Sequence, residues 1–554
     1  MKTLILLISL LTIAFISYAQ NIEIPDTAFL YALIDMGVDT DGDGLISFEE
    51  AESVTSLDFN SEYHSYGGCM QSLGIESLDG IEAFTNLDSL QCRCNLINSL
   101  NLSDNISLEY LDCRDNQLTG LDVSNNTALL YLLCSGNQLN SLDVSNNTAL
   151  ESLDCGYSRT GQNSITSLDI SKNISLKKLN CGDNLLTNLD VSNNTALQEL
   201  ICYNNQLTNL DVSKNTMLTV LDCGVNDITS LDLSNNAALE VLDCYNTGLT
   251  SLNISKNTAL EHLQCAGNEL TSLDVSKNTA LEELICGWLW GPGNYLTSLD
   301  VSNNYALKYL NCSYCRLTSL DVSKNTALET LTCYGNQLTN LDVSKNTALT
   351  YLNCGFLFED GNYLTNLDVT NNITLSELHC AYNDLTMLDV SNNTALEILD
   401  CGSNPLTFLD VSNNTSLQEL WIYEMPTLQK VCIREIPFPL DTANVYTDGS
   451  PNMSFTTDCS VPDSEPDSVT NVNTCNKNSS ITIYPNPTND IINLEIDNIK
   501  NVLIQIIDVS GKVVFSKVPD SNLDKIDVSG FLRGVYFIKI KQANTIYVEK
   551  LIVN

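Results

Sequence analysis

Apolar residues recur along most of the chain with a period of 21 residues. From Leu87 onward the pattern is L-x-x-L-x-C-x-x-N-x-L-T-x-L-D-V-S-x-N-T-A, as in residues 129–149 and 328–348. Each unit has two similar halves in which apolar residues alternate with polar ones, and this alternation predicts a short strand or an extended turn in each half. Units that stack on one another can bury these apolar positions, so the repeat predicts a long solenoid.

A cysteine marks each unit, with steps of 21 residues apart from three steps of 26. These cysteines are at positions 92, 113, 134, 155, 181, 202, 223, 244, 265, 286, 312, 333, 354, 380 and 401. A further unit begins at Leu417, where Ile422 takes the cysteine position and Pro426 breaks the pattern. We expect that unit to end the array.

The repeat resembles that of leucine-rich repeat proteins over residues 87–433. The resemblance implies an α/β-type repeat solenoid, curved and right-handed, of about 16 coils made mostly of short parallel β-strands and turns. It also implies that the L-x-x-L-x-C-x-x-N segments form a parallel sheet on the concave face. Because the two halves of each unit are alike, the repeat leaves open which side is concave.

Two asparagines per unit are interpreted as scaffold, with amides that satisfy buried backbone groups at the turns. The ladder cysteines, 15 of the 21 in the chain, are expected to be buried free thiols, since cysteines in a line do not converge on a metal as a tetrahedral site requires. Of the six remaining cysteines, Cys432 and Cys459 are the expected disulfide, at the end of the array.

An aspartate recurs on the D-V-S side of nearly every unit, and two explanations remain open. Either cations such as calcium bridge these carboxylates, or each carboxylate caps nearby backbone N–H groups. The members are Asp122, Asp143, Asp169, Asp190, Asp211, Asp232, Asp274, Asp300, Asp321, Asp342, Asp368, Asp389 and Asp410.

Residues 39–50, D-T-D-G-D-G-L-I-S-F-E-E, match the twelve-residue loop of an EF-hand. The predicted calcium ligands are Asp39, Asp41, Asp43, the Leu45 backbone carbonyl, Ser47 and Glu50. The segment before the loop has the pattern of a helix, and Ser47 with Glu50 predicts a capping box for a second one. Residues 20–86 are therefore expected to form a small helical N-terminal cap that binds calcium. The alternative is an acidic turn without a metal.

Residues 1–19 have the charged start, apolar stretch and small-residue cleavage site of a signal peptide. No later segment is apolar over the length that a membrane span needs, so no span is expected in the mature chain. The 25 basic residues against 68 acidic ones give a net charge of −43, which argues against nucleic acid as a partner. The chain is expected to be exported.

A binding site is expected where the units vary, on the outward positions beside the L-x-x-L-x-C segments and in the longer units. The candidate ligand-binding residues are Trp288, Trp290, Phe356, Phe358, Tyr309 and Tyr351. Exposed aromatic rings favour recognition of a protein or a glycan. The alternatives are ordinary β-propensity for the tyrosines and packing of the loop tips on adjacent coils. Nothing in the sequence combines an acid, a base and a nucleophile as an active site does, so an enzyme is not expected.

The C-terminal segment has a different composition and pattern. A polar linker over 460–480 follows the C-terminal cap expected at 434–459, and short alternating strands over 481–554 predict a β-sandwich. This segment resembles the sorting domain of the type IX secretion system of Bacteroidota, on the motifs Y-P-N-P-T at 484–488, D-V-S-G-K at 508–512, G-V-Y at 534–536 and K-L-I-V at 550–553. The resemblance implies that the secretion machinery is a partner and that the protein is released or attached at the outer cell surface of a Gram-negative bacterium.

Together these features predict a non-catalytic, secreted or cell-surface recognition and adhesion protein with an unknown extracellular protein or glycan as its ligand. The alternative is a structural spacer of the surface or matrix that self-associates with calcium.

Overall fold

The computed structural model describes residues 21–60, 63–64, 68–69, 73–157, 161–288, 293–355, 361–435, 444–459, 481–484, 491–496, 502–508, 513–519, 523–531, 533–542 and 545–553. The chain divides into two compact units, Met1–Ser460 and Val461–Asn554. The predicted signal peptide and the predicted linker lie outside the described residues.

The N-terminal segment contains two short helices, α1 (Thr27–Asp35) and α2 (Phe48–Glu52), and a 3₁₀ turn at Ile81–Ala83. The Asp26 side chain caps α1 by accepting hydrogen bonds from two backbone N–H groups of its first turn. At α2 the predicted capping box between Ser47 and Glu50 is formed. Strand β1 (Ser56–Asp58) follows, and then the hairpin of β2 (Tyr63–His64) and β3 (Gly68–Cys69).

The main feature of the first unit is a parallel sheet of 18 strands. Its strands are three residues long, and each pairs in register with the strands of the coils before and after it. After β1 they are β4 (Ser89–Gln91), β5 (Tyr110–Asp112), β6 (Tyr131–Leu133), β7 (Ser152–Asp154), β8 (Lys178–Asn180), β9 (Glu199–Ile201), β10 (Val220–Asp222), β11 (Val241–Asp243), β12 (His262–Gln264), β13 (Glu283–Ile285), β14 (Tyr309–Asn311), β15 (Thr330–Thr332), β16 (Tyr351–Asn353), β17 (Glu377–His379), β18 (Ile398–Asp400), β20 (Glu419–Trp421) and β22 (Asn444–Tyr446).

Only one half of the repeat forms regular strands. The middle residue of each strand is an apolar residue on the inner side, such as Leu132, and the ladder cysteine that follows, such as Cys134, is also fully buried. The D-V-S half runs as turns, except near the end of the array, where β19 (Phe408–Asp410), β21 (Lys430–Cys432) and β23 (Ser454–Thr456) form a second parallel sheet. The predicted repeat solenoid is thus confirmed.

Two asparagine ladders hold successive coils together, as expected. In the first, the amide N–H groups of Asn137 donate to the carbonyls of Cys113 and Cys134, and its Oδ1 accepts from the Leu118 N–H. In the second, the amide of the fully buried Asn147 donates to the carbonyl groups of the preceding coil at distances of 2.9 and 2.8 Å. Each ladder therefore satisfies backbone carbonyls that would otherwise be buried without a donor.

The sheet extends past both ends of the recognisable repeat. Strand β1 precedes the first L-x-x-L-x-C segment, and β22 lies within the segment 434–459 that the sequence marks only as a cap. Cys432 and Cys459 are joined by a disulfide, with their Cα atoms 5.1 Å apart. This bond links β21 to the residues that follow β23.

The second unit consists of two antiparallel sheets. One contains β24 (Ile481–Tyr484), β25 (Ile491–Ile496) and β28 (Leu523–Asp527), and the other contains β26 (Val502–Asp508), β27 (Val513–Lys517), β29 (Gly534–Gln542) and β30 (Thr545–Val553). Apolar residues of both sheets, including Ile492, Ile506 and Ile538, form one buried cluster. Two sheets that share a core are the arrangement that the alternating pattern predicts.

Within the part of the chain that the structure describes, no helix has both the length and the apolar character needed to cross a bilayer.

Candidate functional site on the parallel sheet

The first and third residues of each strand in the main sheet point away from the core. Most are partly exposed, whereas the middle residue is buried. Neighbouring strands are about 4.8 Å apart, so these positions form two parallel rows of side chains along the array. We call this surface the sheet face. The residues of the sheet face change from coil to coil along the array, whereas the D-V-S side has nearly the same residues in every coil.

The sheet face begins with charges that neutralise one another. Arg114 makes two hydrogen bonds to Asp112, at 2.9 and 2.6 Å, and Arg93 contacts Asp115 at 2.9 Å. Farther along, Lys178 pairs with Glu199 on the next strand at 2.9 Å. Several carboxylates of the first coils thus have basic partners, whereas Asp154 of β7 accepts hydrogen bonds from Ser135 and Gly156 instead.

The middle coils place a partly buried carboxylate among tyrosine rings. The Asp222 carboxylate accepts the Gly224 N–H at 3.1 Å. Burial, offset in part by that hydrogen bond, raises the pKa of Asp222 to about 7. The Tyr245 ring lies over Gly224, where a Cβ would collide with it. Burial and then the charge of Asp222 raise the pKa of Tyr245 to about 12.

His262 lies between two carboxylates on the neighbouring strands. Its Nε2 is 2.9 Å from Asp243, and its Nδ1 is 2.9 Å from Glu283. The hydrogen bond to Asp243 is the main cause that raises the pKa of His262, against the effect of burial. A protonated His262 donates to both carboxylates, so its charge is shared between them.

The last coils carry an aromatic cluster that the sequence analysis did not single out. Trp421 stacks on Tyr446 with 3.8 Å between ring centroids and meets Tyr423 edge-on at 6.4 Å. Tyr382 is 6.0 Å from Tyr423. Trp421 occupies the third position of strand β20, as Asp222 does in β10. Its place in the repeat was therefore the one sequence feature that could have predicted that Trp421 lies on the sheet face.

Three of the six predicted ligand-binding residues, Trp288, Tyr309 and Tyr351, belong to the part of the chain that the structure describes. Trp288 is half-buried and packs against Gly267 and the Tyr245 ring, 6.0 Å away, on preceding coils. Tyr309 and Tyr351 lie on the sheet face, where Tyr351 is 5.6 Å from the ring of His379. The remaining three predicted residues, Trp290, Phe356 and Phe358, lie outside the described residues.

The acidic loop before the array brings three carboxylates together. Oxygens of Asp39, Asp41 and Asp43 lie within 4.8 Å of one another. Asp39 also accepts the N–H groups of Gly42 and Gly44 at 2.7 and 2.9 Å, which fixes the turn. Such a set of hard oxygen donors fits a calcium ion.

Glu50, at the last position of the loop, is nearly buried and fully hydrogen-bonded. One carboxylate oxygen accepts from the N–H and hydroxyl of Thr40, and the other accepts from those of Ser47. Although burial opposes it, these bonds lower the pKa of Glu50 to about 2. The backbone of Ile46 accepts from Ile22 at 2.8 Å, which ties the loop to the start of the described chain.

The aspartates of the D-V-S side act as local caps. The Asp122 carboxylate accepts the N–H of Ser124 at 2.9 Å, and Asp143, Asp232 and their equivalents repeat this bond. Hydrogen bonds from the serine lower the pKa of Asp122. Local capping is therefore present, and it uses one oxygen of each exposed carboxylate.

The ladder cysteines are buried free thiols, as expected. Burial raises the pKa of Cys181 and Cys354 to about 12 and raises the pKa values of other ladder thiols, such as Cys92 and Cys134. Thiols with such pKa values remain protonated near neutral pH, so they are poor nucleophiles.

Comparison with protein families gives one match, in the second unit. Residues 482–554 match the secretion system C-terminal sorting domain. This match confirms the predicted type IX sorting domain.

Solved structures similar to this chain are repeat proteins. The functional domain of InlJ from Listeria monocytogenes, which includes a cysteine ladder, is 26% identical with a TM-score of 0.50, and the match covers 97% of this chain and 100% of that one. A leucine-rich repeat protein of Leptospira interrogans is 24% identical with a TM-score of 0.53, covering 74% and 93%. The comparison with curated proteins gives no match. These likenesses confirm the leucine-rich repeat fold.

Proposed function

We propose that the protein is a non-catalytic recognition and adhesion protein of the outer cell surface or the extracellular space, and that the sheet face binds its ligand. The observation that carries the proposal is the contrast between the two sides of the solenoid. The D-V-S side repeats one set of capping bonds, whereas the sheet face carries a changing series of aromatic, acidic and histidine side chains. A surface that varies on a rigid frame can encode specificity.

Export through the type IX system is the second part of the proposal, and the sorting-domain match supports it. Its test is a chain that lacks residues 481–554, expressed beside the full chain in a bacterium that has this secretion system. We expect the full chain outside the cell and the shortened one in the periplasm. Equal amounts of both outside the cell would contradict this role of the tail.

Calcium binding by the loop at 39–50 is the third part. Asp39, Asp41, Asp43, Ser47, Glu50 and the Leu45 carbonyl would hold the ion, which would supply a fixed positive charge that draws the loop together. We expect calcium to raise the melting temperature of the mature chain and to have no such effect on the Asp39→Ala/Asp41→Ala variant. Asp232→Asn, on a D-V-S turn, is the matched control that should keep the response.

Ligand binding is tested with the mature chain on arrays of glycans and extracellular proteins. The comparison variants are Trp288→Ala/Trp421→Ala on the sheet side and Ile174→Ala/Ile373→Ala, which shortens two exposed residues beside the D-V-S turns. We expect a ligand that the first variant loses and the second retains. If neither the wild type nor either variant binds a ligand, and light scattering shows that calcium makes the protein assemble, the self-associating spacer would be favoured instead.

A further inference from the structure

We infer that the sheet face from β10 to β22 binds an extended basic segment of a partner protein, with lysine or arginine side chains against its carboxylates. The inference rests on the proposed recognition function and adds the chemical class of the ligand. It is carried by the distribution of charge on the sheet face.

The outward positions of these eleven strands, all of which the structure describes, carry six carboxylates, two histidines and four aromatic rings, with neither lysine nor arginine. The carboxylates belong to Asp222, Asp243, Glu283, Glu377, Asp400 and Glu419. The residues that directly follow the ladder cysteines in these coils, such as Gly224, Tyr245 and Tyr334, are not basic either. The carboxylates lie on β10, β11 and β13 and again on β17, β18 and β20, whereas β14 to β16 carry none. Asp400 is nearly buried, and the other five are more exposed, so this surface has two acidic stretches.

The first coils differ because basic side chains lie beside several of their acids. There the acids Asp112, Asp115 and Glu199 have arginine or lysine partners within 2.9 Å. From β10 onward, among the residues that the structure describes, the two histidines are the only basic side chains within 4 Å of the sheet-face acids, at 2.9 Å for His262 and at 3.6 and 3.9 Å for His379. The cationic partners that the first coils supply from within are missing from this part of the face.

The other lysines of the array lie elsewhere. Lys214, Lys277, Lys324 and Lys345 are exposed in D-V-S-K-N turns beside the capping aspartates, and Lys256 is exposed in the equivalent N-I-S-K-N turn, which Asn253 caps. Lys308 is next to β14 but is paired with Glu282 at 2.7 Å. Arg316, which follows β14, lies over the Tyr295 ring at 4.3 Å from its centroid. None of these basic side chains occupies an outward strand position from β10 to β22, and charge complementarity favours a basic partner there.

The aromatic side chains among the acids suit the same partner. Tyr245 and Trp288 are 6.0 Å apart beside Asp222 and Asp243, and Trp421 with Tyr446 forms a second platform near Asp400. Arginine and lysine side chains stack on such rings while their charged ends reach a carboxylate. A neutral glycan could donate hydrogen bonds to these carboxylates but would not neutralise their charge.

The spacing of the acids fits an extended chain. Asp222, Asp243 and Glu283 lie on β10, β11 and β13, so they are about 5 and 10 Å apart along the array. Alternate side chains of an extended peptide recur at about 6.7 Å. A peptide of about ten residues that crosses the strands can therefore place several basic side chains over acids of the sheet face.

The test is binding of the mature chain to three fluorescent peptides of about ten residues, in which serine alternates with arginine, with glutamate or with glutamine. We expect binding of the arginine peptide only, with an affinity that falls as NaCl rises above about 0.1 M. The triple variant Asp222→Asn/Asp243→Asn/Glu283→Gln should weaken it about tenfold or more. The matched control Asp232→Asn/Asp274→Asn/Asp300→Asn removes the same charge from the D-V-S turns and should bind as the wild type does.

Circular dichroism checks that each variant is folded, and Asp222→Asn alone serves if the triple variant is not. Equal binding of the three peptides, or an equal loss in both triple variants, would overturn the basic-ligand inference. An array ligand that is not basic and is lost in Trp288→Ala/Trp421→Ala would overturn this inference but leave the proposed function standing. Absence of any ligand, peptide or array, would count against both.

Discussion

At the scale of single residues, one backbone position in most of the coils without extra residues is under conformational constraint. The residue before the first-ladder position has a positive φ, 68° at Gly136, 51° at Val225 and 51° at Asn246, where Thr247 replaces the asparagine. Glycine and asparagine tolerate this left-handed region, whereas a β-branched residue is strained there. Val225 therefore destabilises its coil through strain in its backbone conformation, and not through its side-chain contacts.

We predict that Val225→Asn stabilises the protein by about 1 kcal/mol. Asparagine adopts the required φ more readily, and it adds less freedom to the unfolded chain than glycine does. Urea unfolding followed by circular dichroism measures the change. The inverse substitution at the equivalent position, Asn246→Val, should destabilise by a similar amount, and stabilisation by both would contradict the argument.

The pKa of Asp222 makes a second residue-scale prediction. Because its folded pKa of about 7 lies above the unfolded value, this carboxyl group favours folding at low pH, and that contribution is lost as pH rises from about 4 through 7. Asp222→Asn should therefore leave stability nearly unchanged at pH 4 and raise it at pH 8 by on the order of 2 kcal/mol.

Melting temperatures across this pH range provide the measurement, with Asp232→Asn as the control from the same coil. Hydrogen bonds from Ser234 lower the pKa of the exposed Asp232, so the substitution of Asp232 should lower stability near neutral pH instead. A pH-independent effect of Asp222→Asn would show that its carboxyl group titrates normally.

At the scale of elements, each coil is stabilised by the hydrogen bonds that side chains in its turns donate to the backbone of the preceding coil. A strand of three residues makes few hydrogen bonds, so stacking in register and the asparagine ladders provide the rest. In the second ladder the amide donors are used, whereas the Oδ1 of Asn147 has no hydrogen-bond partner among the described residues. The stability that the second asparagine ladder provides thus depends on its amide N–H donors.

We predict that Asn147→Ala destabilises the protein by about 1–3 kcal/mol, because the carbonyls of Val123 and Asn126 lose their donor inside the core. The adjacent Asn146 bonds to Ser124 at the exposed surface, so Asn146→Ala should cost less than about 0.5 kcal/mol. Chemical unfolding of the two variants compares them directly. Equal losses would mean that burial of the hydrogen bond is unimportant here.

At the scale of the whole molecule, two groups of carboxylates respond to pH in opposite directions. Hydrogen bonds lower the pKa values of Glu50 and of the D-V-S aspartates, so their contribution is present above about pH 4 and is lost as pH falls through their folded pKa values. Burial raises the pKa values of Asp154 and Asp222, so their contribution is lost as pH rises. The net charge of −43 adds repulsion at high pH.

We therefore predict maximum stability between about pH 4 and 6, on the acidic side of neutral. Added NaCl should raise the melting temperature more at pH 8 than at pH 5, because screening matters most when the carboxylates are charged. Thermal unfolding over pH 3 to 9 at low and high salt measures both effects. A maximum above pH 7 would contradict this balance of carboxylates.

The sequence by itself determined the repeat, the buried cysteines and asparagines, and the sorting domain. Each of these depends on local spacing: a leucine two positions before Cys134 must face the same side as the cysteine, and this holds in every coil. The sequence did not locate β1 or β22, since neither carries the repeat signature and each forms by pairing with the edge of an existing sheet.

Only the tertiary structure decided which surface residues act together. Asp243, His262 and Glu283 are about 20 residues apart in sequence, and stacking brings their side chains within 2.9 Å of one another in pairs. The stacking of coils also decides which acids have a basic side chain on a neighbouring strand and which do not. It places the Trp288 ring beside the Tyr245 ring. The periodic spacing of apolar residues specifies the fold of each coil. The contacts between side chains of different coils depend on which residues the neighbouring coils carry at the same strand position.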